Sequence, residues 1–216
     1  MPDYLTLRRA MVDSQVRTND VTDTRVQDAM AEVPRERFVP QAKRALAYAD
    51  AVVEVAPGRY LLDPRTFSKL AQLAEIAPTD RILDVACASG YSTAVLARLG
   101  GRVTALEEDA ELVRIASDAL AASGPRAEVV QGRLADGHQP GAPYDVVFVN
   151  GAVEEIPESL KSQLAEGGRL VAIVQEGPQG RATLLLREHG RIGAWTDFDA
   201  AVPLLPGFRK VRGFVF

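Results

Sequence analysis

The stretch ILDVACASGY, residues 82–91, decides the fold of this chain. A short apolar run carries an acidic residue near its end, and small residues then follow at alternate positions, Ala86, Ala88 and Gly90. This pattern is typical of the first parallel strand of a nucleotide-cofactor site and of the loop that leads into its helix. Glycine is expected where the two alanines stand, which raises the question of whether this loop leaves room for a ligand.

Strands and helices are predicted to alternate along the chain on both sides of this stretch. The strands are predicted over 81–85, 102–106, 127–131, 144–149 and 168–174, and the helices over 91–99, 109–122 and 156–164. Such alternation with short connections predicts an α/β fold, a doubly wound and mostly parallel sheet with helices on both faces.

The two ends of the chain predict additions to this core. Residues 1–50 are predicted as an N-terminal helical extension, 51–180 as the Rossmann-like core, and 181–216 as antiparallel C-terminal strands around a His189–Gly190 turn, with a last strand over 209–216. The length suits one large domain better than two small ones, so we predict a single domain over residues 1–216.

A hairpin and a capped helix are predicted between the extension and the first parallel strand. The segment AVVEVAPGRYLL contains a Pro57–Gly58 turn, which is typical of a β-hairpin. Asp63 followed by Pro64 is typical of a helix start, because Asp is a preferred N-cap and Pro suits the first helical position.

Charge and composition argue against several classes of function. The net charge of −4 and the pI near 5.3 provide no broad positive field for nucleic acid. No apolar stretch approaches the roughly 20 residues of a membrane helix and no signal-peptide pattern opens the sequence, so we expect a cytoplasmic protein. A single cysteine, Cys87, cannot form an internal disulfide and is predicted to be a buried filler, and two histidines are too few for a metal site.

Residues at the ends of the first two parallel strands are candidate cofactor ligands. In doubly wound sheets a ligand lies outside the carboxyl ends of the strands, where the strand order reverses. Asp84 lies near the end of the first strand, and Glu107 ends the second, 23 positions later. We predict that the Glu107 carboxylate accepts both hydroxyls of a ribose. The alternative is that Glu107, like Glu108 and Asp109, only begins the next helix.

The spacing of the small residues separates two kinds of cofactor. A dinucleotide site requires its third glycine one position after Gly90, where Tyr91 stands, so an NAD-dependent oxidoreductase is disfavoured. The alternating spacing suits a cofactor without phosphates that lies against bare backbone. S-adenosylmethionine is such a molecule.

Five blocks in collinear order carry a resemblance to a known family. They read AEVPRERFVP (31–40), AYAD (47–50), ILDVACASGYSTAVLARL (82–99), APYDVVFVNGA (142–152) and IPESLKSQLAEGGRLVAIV (156–174). On these blocks, which extend over nearly all of the chain, the sequence resembles the protein-L-isoaspartate O-methyltransferases. The resemblance implies the S-adenosylmethionine-dependent methyltransferase fold.

The resemblance also implies a reaction, which is a carboxyl methyl transfer in protein repair. Members of this family transfer the methyl group of S-adenosylmethionine to the free carboxylate of an isoaspartyl residue, and the ester then collapses to a succinimide. The carboxylate is already a nucleophile at neutral pH, so positioning matters more than general base catalysis. The implied partner is a protein or peptide that contains isoaspartyl residues.

The resemblance further assigns site residues. Those that would hold the cofactor are Asp84, Ala86, Ala88, Gly90, Tyr91, Glu107, Arg133 and Leu134, and those that would face the acceptor are Leu62, Asp63 and Asn150. For Asn150 the alternative is a turn-former before Gly151.

The sequence departs from the family pattern at functional positions. Two loop glycines align with Ala86 and Ala88, a serine that helps to hold the substrate carboxylate aligns with Leu62, and an acidic residue for the adenine amine aligns with Arg133. Alanine costs about 1–2 kcal/mol where the backbone needs a positive φ, and nothing where it does not. A non-catalytic relative that uses this fold for binding therefore stays open beside the enzyme.

Overall fold

The structure, a computed structural model, describes residues 3–121 and 127–210. Its strands are β1 (Val53–Ala56), β2 (Arg59–Leu61), β3 (Arg81–Val85), β4 (Arg102–Glu107), β5 (Ala127–Gln131), β6 (Tyr144–Val153), β7 (Leu164–Glu176), β8 (Gln179–Glu188) and β9 (Arg191–Ala200). Its α-helices are α1 (Tyr4–Met11), α2 (Thr24–Glu32), α3 (Pro64–Leu73), α4 (Tyr91–Leu99), α5 (Ala110–Ala121) and α6 (Glu158–Ser162).

The main sheet has seven strands in the order β5-β4-β3-β6-β7-β8-β9. Strands β3 to β7 pair in parallel, whereas β8 and β9 pair antiparallel to their neighbours. The predicted mostly parallel sheet with an antiparallel addition is therefore confirmed. The β8–β9 connection is the predicted turn at His189 and Gly190, which both have positive φ, the backbone geometry that a two-residue hairpin favours.

The core follows the two-residue period of the strands. Ile82, Val103 and Phe148 belong to one buried cluster, and Leu83 and Val147 belong to the other. Successive strand residues point to opposite faces, so both faces of the sheet are covered.

Helices cover the two faces unequally. Val26 of α2, Phe67 of α3 and Val95 of α4 pack into the first cluster, whereas Leu160 of α6 packs into the second. The N-terminal extension consists of α1, α2 and short π- and 3₁₀-helical pieces, as expected for a helical segment interrupted by prolines. No helix among residues 3–121 and 127–210 is both long and apolar enough to cross a membrane.

The predicted hairpin and capped helix are confirmed. Strands β1 and β2 form a separate two-stranded antiparallel sheet around Pro57 and Gly58. The Oδ1 atom of Asp63 accepts a hydrogen bond from the backbone N–H of Thr66 at 2.8 Å, and Pro64 is the first residue of α3.

Several predicted boundaries differ from the structure. Helix α6 is shorter than the predicted 156–164 because it begins only after its N-cap, Pro157. Strand β7 begins at Leu164, before the predicted start, and an irregularity in its pairing with β6 accommodates the glycine pair that follows. Of the predicted last strand, Arg209 and Lys210 are not in a strand, and 211–216 lie outside the described residues.

Candidate active site

The carboxyl ends of β3, β4 and β6 meet where the strand order reverses. Strand β3 has β4 on one side and β6 on the other, which is the position where doubly wound sheets bind ligands. Hydrogen bonds join Asp84 of β3 to Asn150 of β6, and the loop after β3 to Glu107 of β4. The structure therefore brings together four of the predicted site residues, Asp84, Ala88, Glu107 and Asn150.

Asp84 is fully buried and is surrounded by neutral hydrogen-bond donors. Its Oδ2 accepts bonds from the hydroxyls of Ser92 at 2.7 Å and Thr93 at 2.6 Å, and its Oδ1 accepts a bond from the amide of Asn150. Burial raises the pKa of Asp84 to about 6, although these three bonds oppose the shift; the nearby Glu107 carboxylate adds to it. Because the first turn of α4 supplies two of the donors, Asp84 ties the central strand to that helix.

The loop after β3 places both alanines in the left-handed backbone region. Ala86 has φ 60° and Ala88 has φ 51°, so the backbone conformation is the one in which glycine is unstrained. Each alanine costs about 1–2 kcal/mol there. Both residues are only 1% exposed, and the hydroxyl of Ser89 donates to the carbonyl of Phe38 in the N-terminal extension at 2.6 Å. The loop is therefore strained and covered.

Gly90 has a structural reason to be glycine. Its φ is 93°, and a Cβ atom placed on it would lie 3.2 Å from Leu120 and 3.3 Å from Ala116, both in α5. The position thus allows α5 to pack closely on the start of α4. This packing explains Gly90 without a ligand.

The carboxylate of Glu107 is enclosed by the protein. Its Oε1 accepts bonds from the backbone N–H groups of Glu108 at 2.8 Å and Asp109 at 3.1 Å, and its Oε2 accepts one from the N–H of Ala88 at 3.1 Å. A fourth donor is the Nε of Arg59, 2.9 Å from Oε1. Three donors thus crowd Oε1, one donor faces Oε2, and Glu107 is 0% exposed. A ligand can therefore reach this carboxylate only if one of its neighbours moves.

Arg59 is a residue of the site that sequence reasoning missed. It lies in β2, where it and Leu61 are buried while Tyr60 between them is partly exposed. Its side chain is 7% exposed, pairs with Glu107 and lies 3.8 Å from the carboxylate of Glu108. The available signal was the two-residue period of the hairpin, which places an arginine on the same inward face as a leucine.

Asp63 and Leu62, two predicted acceptor-facing residues, both serve the fold. Asp63 caps α3 as described above, so its carboxylate is turned to the helix. The Leu62 side chain is buried in the first core cluster, and its carbonyl accepts a bond from the buried Arg35 at 2.8 Å. A leucine side chain has no donor for an acceptor carboxylate, in contrast to the serine of the family.

Asn150 lies inside β6, so the turn-former alternative is wrong. The β6–β7 pairing shifts register between Phe148 and Ala152, which marks a bulge at Asn150. Bulges re-aim side chains, and here the Asn150 amide donates to Asp84 and, at 3.1 Å, to the carbonyl of Val85. The side chain is therefore committed to β3.

Cys87 and Tyr91 point into the core. Cys87 is buried, as predicted, and burial raises the pKa of its thiol well above the usual range. The ring of Tyr91 packs between Phe38 and Phe67, with centroid distances of 5.8 Å and 5.7 Å, and the guanidinium of Arg35 lies 4.6 Å from its centroid. Tyr91 thus packs in the core where the loop after β3 joins α4.

Arg133 and Leu134, the residues predicted beside the adenine, have different environments. The Arg133 side chain is 75% exposed and its Nη1 lies 3.7 Å from the carboxylate of Asp136. Leu134 is buried in the second core cluster. Their backbone follows Gly132, whose N–H donates to the carbonyl of Glu107 at 3.0 Å, so the segment begins beside β4.

The sheet order and the paired acidic strand ends define the class of S-adenosylmethionine-dependent methyltransferase folds. Two solved structures share this fold over 92% of the chain. One is a protein-L-isoaspartate O-methyltransferase, with a TM-score of 0.80, 23% identity and 66% of that chain covered. The other is a Plasmodium falciparum protein named for the same activity and solved with S-adenosyl-L-homocysteine, with a TM-score of 0.79, 20% identity and 97% of that chain covered.

The chain belongs to the protein-L-isoaspartate(D-aspartate) O-methyltransferase family, whose model matches residues 7–195. A protein-L-isoaspartate O-methyltransferase of Methylorubrum extorquens (strain PA1) is 40% identical over 214 residues, covering 96% of this chain and 92% of the relative. One of Methanoculleus marisnigri is 37% identical over 188 residues, covering 86% and 84%. The resemblance predicted from the sequence is confirmed, and S-adenosylmethionine is the methyl donor of this family.

The arrangement of the site does not fit S-adenosylmethionine at Glu107 as it stands. A ribose brings two hydroxyl donors, whereas Glu107 is 0% exposed and lies against Arg59 and three backbone amides. The backbone of Ala86 and Ala88, the other predicted contact, is buried beneath its neighbours. A cofactor therefore requires a rearrangement that frees Glu107, and Arg59 is the one donor of the four that a side-chain movement can remove.

Proposed function

We propose that this protein is an S-adenosylmethionine-dependent carboxyl O-methyltransferase whose acceptor is an isoaspartyl residue of a protein or peptide. The observation that carries the proposal is the family match over residues 7–195, which includes both acidic strand ends, Asp84 and Glu107. In this proposal Glu107 serves the ribose, and Asp84 together with the 86–90 backbone serves the amino-acid end of the cofactor.

The proposed acceptor region lies around the β2–α3 junction. Leu62 and Asp63 stand there, and neither side chain can donate a hydrogen bond to an acceptor carboxylate at neutral pH. The acceptor carboxylate is itself an ionised nucleophile, so the protein has to orient it rather than to remove a proton from it. In this proposal the isoaspartyl carboxylate is therefore oriented by groups other than the family's serine.

Two expectations about the whole molecule are also part of the proposal. We propose a single domain over residues 1–216, supported by one hydrophobic cluster that joins the N-terminal extension to the sheet. We also propose a cytoplasmic location, supported by the low cysteine content.

The direct test is methyl transfer to a pair of matched peptides. The protein is incubated with methyl-labelled S-adenosylmethionine and with two peptides that differ only in an isoaspartyl or a normal aspartyl linkage. The expected result is a base-labile methyl ester on the isoaspartyl peptide alone. The Methylorubrum extorquens relative is the positive control. Label on neither peptide, under conditions in which the relative labels its peptide, would contradict the proposed function.

A further inference from the structure

Arg59 and Glu107 form a buried ion pair at the place where the cofactor ribose is predicted to bind. The Arg59 Nε lies 2.9 Å from the Glu107 Oε1, and the two side chains are 7% and 0% exposed. The Nη1 of Arg59 also donates to the carbonyl of Gly58 at 3.2 Å, within the same hairpin. The guanidinium is thus held from both sides in a fixed orientation.

The guanidinium offers Glu107 the kind of donor that a ribose hydroxyl would offer. Both are hydrogen-bond donors to the same carboxylate, and the capacity of that carboxylate is about four bonds. The three backbone donors belong to the β4–α5 junction and to the loop after β3, so they stay in place as long as these elements are folded. Because the guanidinium lies against the Oε1 of a carboxylate that has no exposed surface, a ribose can reach this atom only after Arg59 has left it.

The hairpin that carries Arg59 is separate from the main sheet. Strands β1 and β2 form their own two-stranded sheet, so a movement of the hairpin leaves the ladder hydrogen bonds of β3 to β9 intact. On its outer side the hairpin contacts Lys43, whose ammonium donates to the carbonyl of Glu54 at 2.9 Å. Val53 of β1 and Leu61 of β2 lie in the first core cluster, so the Arg59 side chain, and not the hairpin, is the part that can leave Glu107 without opening the core.

We propose that Arg59 is a built-in competitor of the cofactor: it holds Glu107 in a closed site, and S-adenosylmethionine and its product bind only when the Arg59 side chain leaves Glu107. This inference rests on the proposed function, because it assumes that Glu107 serves the cofactor. Its consequence is that the natural protein binds the cofactor more weakly than the same protein without the guanidinium.

The test is a calorimetric titration of the full chain with S-adenosyl-L-homocysteine. Arg59→Met removes every side-chain donor from the Oε1 of Glu107, and we expect binding at least about tenfold tighter than in the natural protein. The matched control is Arg102→Met, in which the same change removes an exposed arginine that pairs with Glu128 at 2.8 Å on the same sheet. We expect the control to leave the affinity unchanged.

A second variant covers the case in which Arg59→Met does not fold. Arg59→Lys keeps the positive charge beside Glu107 but replaces the planar fork with a compact ammonium, which holds the carboxylate less rigidly. We expect at least about threefold tighter binding for this variant. The increase in melting temperature on addition of the same ligand provides an independent reading for every variant.

The outcomes separate this inference from the proposed function. Tighter binding by the Arg59 variants, and not by the control, supports the inference. Equal affinity in all proteins, with methyl transfer to the isoaspartyl peptide intact, overturns the inference and leaves the function standing. Binding by none of the proteins, together with no methyl transfer, overturns both and points to a non-catalytic relative.

Discussion

Two buried carboxylates, at neighbouring strand ends, are stabilised in different ways. Asp84 at the end of β3 accepts hydrogen bonds from two hydroxyls and one amide, all of them neutral. Glu107 at the end of β4 accepts hydrogen bonds from three backbone N–H groups and from the cationic Arg59. Both are 0% exposed.

The difference shows that the charge of the partner is supplied at one of the two positions only, and from a distant element. Two of the three donors to Asp84 come from α4, which directly follows its own strand, and the third is the neutral amide of Asn150 in β6. The cation beside Glu107 comes from a hairpin 48 positions away in sequence. Closure of the Glu107 side therefore depends on how the hairpin packs, and this is the side on which a cofactor ribose is expected.

The largest effect is expected from removal of the cation beside Glu107. Arg59→Met leaves a buried carboxylate without its charged partner, which typically costs about 3–5 kcal/mol of unfolding free energy. Denaturant unfolding at pH 7 measures the loss. The double variant Arg59→Met/Glu107→Gln should recover most of it, because no buried charge then remains. If the unfolding free energy of the single variant falls by less than about 1 kcal/mol, water reaches Glu107 and the ion pair is not shielded from solvent.

The next effect concerns pH and Asp84. The pKa of Asp84 is raised from 3.8 to about 6 by burial, so the folded state binds this proton more tightly than the unfolded chain does. Ionisation of Asp84 therefore lowers the stability as pH rises from about 4 to about 6, and the loss stays constant above that window. About two pH units correspond to about 3 kcal/mol.

The measurement is the difference in unfolding free energy between the natural protein and Asp84→Asn, followed from pH 4 to pH 8. As pH rises across this window, we expect the unfolding free energy of Asp84→Asn to increase by about 3 kcal/mol relative to that of the natural protein. Thr93→Val removes a hydroxyl that lowers the pKa of Asp84, so in this variant the loss of unfolding free energy should continue to a higher pH. Parallel pH profiles for the natural protein and Asp84→Asn would show that Asp84 does not titrate in this range.

A smaller effect is expected in the loop between the two carboxylates. Ala86→Gly and Ala88→Gly each relieve about 1–2 kcal/mol of backbone strain and lose a buried methyl group worth about 0.8 kcal/mol. We expect each to raise the unfolding free energy by up to about 1 kcal/mol. Ala94→Gly in the middle of α4 is the matched control and should lower it by about 1–2 kcal/mol. The same sign at all three positions would contradict the strain argument.

The smallest effect is expected for an exposed ion pair on the same strand as Glu107. Arg102 and Glu128 are 2.8 Å apart with side chains 70% and 56% exposed. Arg102→Met should cost less than about 1 kcal/mol, because solvent screens the pair and both side chains regain freedom. Chemical denaturation of Arg102→Met and Arg59→Met under the same conditions gives the comparison. Equal losses of unfolding free energy would contradict the distinction between buried and exposed pairs.

Local patterns were sufficient for much of the fold and for part of the site. The bounds of β3, α4 and β5 are confirmed to the residue, because each is an apolar segment with clear turn or helix-start residues at its ends. Asp84 and Glu107 stood out as candidates because acidic residues at strand ends are local features. The predicted start of β7 was wrong because a pairing irregularity between β6 and β7 lets the strand begin before the glycine pair, and the predicted start of α6 was wrong because Pro157 is its N-cap.

The backbone conformation of the loop that contains Ala86 and Ala88 could not be predicted from its sequence. Alanine occupies negative φ in most contexts, and only the packed connection between β3 and α4 forces Ala86 and Ala88 to positive φ. The role of Asn150 was equally hidden, since a bulge in β6 turns its amide towards Asp84. Both features depend on neighbours that are distant in sequence.

The sequence by itself determined the family, the alternating strands and helices, and the acidic strand ends, because these depend on the order of residues along short segments. Only the tertiary structure decided whether those strand ends are open. Arg59 reaches Glu107 because the hairpin folds back over the carboxyl end of β4, and a contact of this kind depends on the relative placement of elements that no local pattern encodes.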